Sequence, residues 1–319
     1  MKAAIRKKYG PPEILEVKVI GKPTPKDHEL LVRVYAATVN RTDCGGLSGK
    51  PYIYRFFTGW PKPRLASTGT DFAGQVEAVG KNVTAFKPGD RVWGFNDNIL
   101  GSHAQYIVIS ENNNILIIPE NISYEQAAAS AEGTHYAINF INKTTLKAGD
   151  NVMVYGATGA IGSAMVQLLK YYSTTVTAVC NTKNVALIKS LGADTIVDYE
   201  TDDFRVDQQK YHFIFDAVGK SSFGICKPLL HKGGVYISSE LGPGNENLYL
   251  PLTTRFSDKR VIFPFPSDIK NSLKLIRNLL ETGLFKPVID RRYPLEQIQE
   301  AFYYVNSGQK TGNVALTFD

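Results

Sequence analysis

The residues with the most definite chemistry are Gly156, Ala157, Thr158, Gly159, Ala160, Ile161 and Gly162. Their spacing is that of G-x-G-x-x-G, with Ala157 in the place of the first glycine. Val152, Met153 and Val154 run into the stretch, and Ala164, Met165, Leu168 and Leu169 follow at helical spacing, which predicts a strand, a glycine turn and a helix. Such a turn aims backbone N–H groups and the positive end of a helix dipole at a pyrophosphate, and Gly159 and Gly162 keep side chains out of its way. A second predicted strand, 175 to 180, follows at the distance a βαβ unit requires. It ends in Asn181, Thr182 and Lys183. A carboxylate at that place would accept bonds from a ribose and repel a 2′-phosphate; none is expected here, whereas Lys183 with the Asn181 amide and Thr182 hydroxyl suits a phosphate. The expected cofactor is NADPH.

The elements that must position these groups follow from the rest of the chain. Its 319 residues are long for one core, so two domains are expected. No apolar run reaches the roughly 20 residues of a membrane span, and Met1 to Lys8 lacks the apolar stretch of a signal peptide, so the expected location is cytoplasmic, away from membranes. Cys44, Cys180 and Cys226 are far apart and form neither a disulfide framework nor a four-cysteine zinc site. A net charge of +6, spread along the chain apart from Arg6-Lys7-Lys8, gives no basic stripe, and no nucleic-acid partner is expected.

The first hundred or so residues read as short strands with Gly and Pro corners, which suggests a small β-barrel. Residues 2–5 and 14–19 predict a hairpin, 29–37 a longer strand, and Gly45-Gly46 a turn before the aromatic, basic loop 50–57. From residue 121 helices alternate with apolar strands: helices at 123–131, capped by Ser123, at 134–141 and at 182–191, and strands at 195–198, 213–219 and 233–239. That alternation gives a doubly wound parallel sheet. An amphipathic helix at 267–283 follows, and 284–319 is expected to return to the barrel. The expected division is therefore 1–120 with 284–319, and 121–283.

Gly69-x-Asp71-x-x-Gly74-x-Val76-x-x-Val79-Gly80, followed by Pro88-Gly89-Asp90-x-Val92, resembles the first domain of the medium-chain dehydrogenase/reductase superfamily, and the glycine turn resembles its cofactor domain. Gly101 to Tyr106 and Gly308 to Leu316 extend the likeness over nearly the whole chain. The resemblance implies a GroES-like barrel beside a Rossmann sheet. In the zinc enzymes of the superfamily, the positions of Asn40 and Thr70 hold a cysteine and a histidine ligand, and a lobe with four cysteines stands where residues 93–98 pass almost directly to Gly101. Amide and hydroxyl are not usual zinc ligands. The match is thus to the zinc-free quinone oxidoreductase-like, or enoyl-reductase-like, branch, and no metal is expected.

The resemblance also implies that Tyr199 covers the cofactor phosphate and that Ala217, Val218 and Gly219, closing a later strand, border the cofactor. Hydride transfer to a small-molecule substrate needs the nicotinamide held against an electrophilic carbon and a donor to the oxygen that becomes an enolate. Relatives often carry a tyrosine where Gly45 and Gly46 stand, which leaves Tyr52 or Tyr54 to replace it. Asn40, in the lost ligand position, and His135, near a threonine that relatives place beside the nicotinamide, complete the catalytic candidates. The implied activity is reduction of a quinone or an activated alkene; alcohol or aldehyde oxidoreduction and non-catalytic NADPH binding are the alternatives. Relatives pair their cofactor domains edge to edge, so a homodimer is expected, with the alternating segment 247–252 as its edge.

Overall fold

In the computed structural model, which describes residues 1–52, 54–97 and 99–318 without the side chains of residues 54 and 57, Gly and Pro corners cut the first part of the chain into short strands. β1 (Lys2–Ile5) and β2 (Glu16–Val19) form an antiparallel pair. β3 (Glu29–Val39) is the longest strand, and its Leu30, Val32 and Val34 are buried. α1 (Arg41–Ser48), α2 (Tyr54–Thr58), β4 (Asp71–Val79), β5 (Arg91–Phe95), β6 (Tyr106–Ser110), β7 (Ile115–Ile117) and α3 (Tyr124–Ala129) follow. Ser123 caps α3 through a capping box with Gln126, as its sequence position predicts.

The alternating part contains α4 (Glu132–Asn142), β8 (Asn151–Tyr155), α5 (Ala160–Tyr171), β9 (Thr175–Cys180), α6 (Val185–Ser190), β10 (Thr195–Asp198), β11 (Tyr211–Asp216), α7 (Phe223–Cys226), β12 (Leu230–Ser238), α8 (Glu246–Thr253) and β13 (Arg260–Ile262). The chain then returns through α9 (Ile269–Glu281), β14 (Ile289–Pro294), α10 (Ile298–Asn306) and β15 (Asn313–Thr317).

Two compact units result: Met1–Glu132 with Ile269–Asp319, and Gly133–Asp268. The first holds a seven-stranded sheet in the order β14-β15-β3-β4-β5-β7, with β6 also on β3, around Val32, Phe72, Val92, Phe302 and Leu316. The second is a parallel six-stranded sheet, β10-β9-β8-β11-β12-β13. Val152, Met153 and Val154 of β8 are fully buried, as in a strand covered on both faces. The unit boundaries fall at 132/133 and 268/269, against 120/121 and 283/284 from the sequence pattern. α3 packs on β3, β4 and β15, and α9 packs on β7, so both helices join the first unit. Among the described residues no helix is long and apolar enough to cross a membrane.

Two local expectations are corrected. Gly45 and Gly46 lie within α1 rather than in a turn, because Asn40 and Asp43 form a reciprocal capping box that starts the helix. Residues 247–252 form α8 rather than an edge strand. The backbone N–H of Asn247 bonds the Leu241 carbonyl and its side-chain Nδ2 bonds the Glu240 carbonyl, closing a turn that begins the helix, while β13 takes the edge place beside β12.

Candidate functional site

The glycine turn connects β8 to α5. Gly156 has φ of +79°, and a Cβ there would stand 2.6 Å from Val218 Cγ1, so this corner needs glycine. A Cβ on Gly162 would overlap the Gly156 carbonyl and the backbone of Ala157, and its absence lets helix and strand pack closely. Gly159 differs: a Cβ built on it meets nothing nearer than the Gly156 carbonyl oxygen, at 4.0 Å. It is the N-cap of the 12-residue α5 and caps it with no side chain. The first-turn N–H groups of the helix, which have no intrahelical acceptor, therefore open onto a space that no side chain fills. That is the form a pyrophosphate site takes.

Backbone bonds hold the neighbouring loops to this turn. The Ala157 N–H bonds the Val179 carbonyl, and the Ala217 N–H bonds the Tyr155 carbonyl. Ala217, Val218 and Gly219 are shaped by Asp216, a residue the sequence pattern does not single out. Its carboxylate accepts from the N–H groups of Val218 (3.1 Å), Gly219 (2.7 Å) and Ser221 (3.2 Å) and from the Tyr236 hydroxyl (2.9 Å). Burial raises its pKa, and these donors oppose the rise.

At the end of β9, Asn181, Thr182 and Lys183 enter a 3-10 turn, and Lys183 is exposed. Here one expectation fails. The register pairs Asp198 of β10 with Cys180, which brings two carboxylates to a strand end that has none of its own. Thr182 Oγ1 donates to Asp198 Oδ2 (2.6 Å), and the Thr182 N–H donates to Glu200 Oε2 (3.2 Å). Tyr199, between those two acids, is exposed and donates its N–H to the Cys180 carbonyl (2.9 Å). The strand end is thus acidic as well as basic. The signal was the acid pair at 198 and 200, legible only with the strand register.

In the first unit, Asn40 is buried. Its side-chain oxygen accepts from the Asp43 N–H (2.8 Å), and its Nδ2 donates to Thr70 Oγ1 (2.9 Å). Asp43, Asp71 and Glu132 lie buried in this unit. Burial pushes Asp71 up to about 7, while Thr38, donating through N–H and hydroxyl, works against the rise. Burial and then the charge of Asp71 raise Asp43. His103 donates Nε2–H to the Thr38 carbonyl (2.9 Å), and burial lowers its pKa to about 4. Tyr52 is 62% exposed, with the Arg55 guanidinium 4.9 Å from its ring centre. The side chain of Tyr54 lies outside the described residues. His135, in the second unit, is fully buried beside Asn139, whose Nδ2 stands 3.1 Å from His135 Nε2. Burial lowers its pKa to about 4, so it is neutral at neutral pH. Asn40 and Tyr52 are thus held in different local networks of one unit, whereas residues 156–162, 181–183, 199 and 217–219 follow the ends of the neighbouring strands β8, β9, β10 and β11 of the other.

The model of the alcohol dehydrogenase GroES-like domain matches residues 26–120, and that of a zinc-binding dehydrogenase matches 191–316. A chloroplastic quinone-oxidoreductase homolog of Spinacia oleracea is 30% identical over 306 residues, 92% of this chain and 91% of its own. This chain belongs to the quinone oxidoreductase-like branch of the medium-chain dehydrogenase/reductase superfamily. A second member, the chloroplastic NADPH-dependent alkenal/one oxidoreductase of Arabidopsis thaliana, is 28% identical over 328 residues, 99% of this chain and 79% of that one. The quinone oxidoreductase of Coxiella burnetii shares the fold, with a TM-score of 0.87 at 24% identity over 99% of both chains. The chain is accordingly an oxidoreductase with a GroES-like domain.

For a superfamily that includes zinc enzymes, the fit of a metal can be judged from the side chains. The positions in question hold an amide and a hydroxyl bonded to each other, and the amide oxygen is taken by the cap of α1. Among the described residues no three His, Cys, Asp or Glu side chains form a group that could hold a metal ion. These residues do not fit zinc. The turn at 156–162 does fit a dinucleotide: of its three glycines Gly159 is the one with open space where a side chain would stand, at the helix start where a pyrophosphate lies in a Rossmann unit, and β9 ends beside it.

Proposed function

We propose that this chain is an NADPH-dependent reductase of quinones or α,β-unsaturated carbonyl compounds, working without zinc. The observation that carries the reading is the empty place over Gly159, at the uncapped start of α5. The names of the Spinacia and Arabidopsis relatives support the substrate class, and the Arabidopsis name supports NADPH.

Bound at this turn, the reduced nicotinamide nucleotide supplies a hydride. The chain's own residues do the rest. First-turn N–H groups of α5 hold the pyrophosphate, and Lys183 pairs with the 2′-phosphate. Asp216 fixes the Ala217-Val218-Gly219 loop that borders the nucleotide. The Tyr52 hydroxyl donates to the substrate oxygen on which negative charge develops. Asn40 has a second amide proton to offer beside the one given to Thr70, and the α1 cap fixes its orientation. His135 contributes as a neutral side chain, through one N–H.

Following NADPH consumption with quinones, enones, aldehydes and ketones tests the reading. Turnover of quinones or enones that survives chelation supports it. Turnover confined to simple aldehydes and ketones, or about one zinc per chain by elemental analysis, contradicts it. We also propose a homodimer, formed through the outer edge of β13, where the exposed apolar residues Leu252 and Phe265 line one surface hollow with Arg260, Val261 and Ile262. Sedimentation at micromolar concentration should show a dimer, and Leu252→Asp should shift it toward monomer.

A further inference from the structure

The acidic residues at the end of β9 bear on which nucleotide the site selects, an inference that rests on reading residues 156–162 as the dinucleotide site. We propose that Asp198 and Glu200 are specificity-determining residues that hold the preference for NADPH over NADH to a shallow value, within about tenfold. The two donors of Thr182 suited to a 2′-phosphate both face carboxylates: the hydroxyl bonds Asp198 at 2.6 Å, and the N–H bonds Glu200 at 3.2 Å. The Glu200 N–H in turn bonds Asp198 Oδ1 at 3.1 Å, so the two acids and Thr182 form one linked corner. A phosphate entering that corner adds its negative charge to those of two carboxylates and must displace Glu200 to reach the Thr182 N–H. A ribose hydroxyl brings no charge and can donate to either carboxylate. Lys183 then opposes the two acids and tips the balance toward NADPH.

Glu200 is the residue to change, because it is exposed and its carboxylate takes part in the corner by accepting from the Thr182 N–H, while its backbone bond to Asp198 survives substitution. Dissociation constants for NADPH and NADH are read from nucleotide fluorescence on the full chain, for wild type, Glu200→Gln and Glu200→Lys. The expected series is a three- to tenfold tightening for NADPH in Glu200→Gln and a larger one in Glu200→Lys. NADH affinity should stay the same or fall, and the gain should shrink at high salt. An unchanged NADPH-to-NADH ratio across the series overturns the proposal, as does a wild-type preference above a hundredfold. Binding of neither nucleotide by folded wild type would instead overturn the dinucleotide reading, and the proposal with it.

Discussion

In the second unit, the groups assigned to the nucleotide are largely backbone, whereas in the first unit the catalytic candidates are side chains. The first-turn N–H groups of α5 that follow Gly159 have no side-chain cap, and a Cβ on Gly159 would meet nothing nearer than the Gly156 carbonyl oxygen. Asn40 is already bonded to Asp43 and Thr70, and only the packing of α1 against the loop at Thr70 reveals it. A function made from backbone conformation is therefore robust to what surrounds it. A function made from side chains depends on partners far away in sequence.

The largest expected effect separates two glycines of one turn. Gly159→Val should leave the thermal melt close to wild type and abolish nucleotide binding, since its side chain enters only the open place. Gly162→Val should destabilise the fold, since its side chain meets the backbone of Gly156 and Ala157. Calorimetric melts with parallel nucleotide titrations check the pair, and equal loss of stability in both would break the contrast.

Next comes the side-chain half. Tyr52→Phe should raise the barrier to turnover by about 2–4 kcal/mol, the usual cost of losing an oxyanion donor, with NADPH affinity unchanged. Turnover within twofold of wild type would make Tyr52 part of a pocket wall and pass the role to Tyr54, His135 or a bound water.

Lys183→Glu should weaken NADPH by tenfold or more, about 1.4 kcal/mol, and leave NADH nearly unchanged. Equal weakening of both nucleotides would remove Lys183 from the phosphate site.

A further effect, read from pH rather than from turnover or binding, concerns the buried acids of the first unit. With a folded pKa near 7 against an ordinary value of 3.8, Asp71 contributes stability that is fully present below pH 4 and lost as pH rises to about 7. Asp71→Asn can keep both contacts to Thr38, so its stability relative to wild type should grow between pH 4 and 7. The slope is at most about 1.4 kcal/mol per pH unit. Denaturant melts at pH 4.5, 6 and 7.5 measure it, and a constant difference would show that the site keeps no proton.

The sequence already carried what is local. The turn at 156–162, the cap of α3 by Ser123 and the strand 195–198 follow from spacing within a few residues. What depends on register or packing did not show. Asp198 and Glu200 reach Thr182 only because β10 pairs with β9, so a strand end without acids of its own became acidic. Residues 247–252 alternate like a strand, yet the turn held by Asn247 starts a helix and leaves the sheet edge to β13. His135 and Tyr52 both looked chemically able, and burial of one against exposure of the other is a tertiary property.

Hydride transfer to the carbon of an activated alkene is tested most directly by tracing the hydride itself. With NADPH carrying deuterium at both C4 positions and a simple enone as substrate, the product is analysed by NMR and mass spectrometry. One deuterium at the β-carbon and a solvent-derived proton at the α-carbon are expected, with the carbonyl intact. Deuterium on a carbinol carbon would show carbonyl reduction and contradict it.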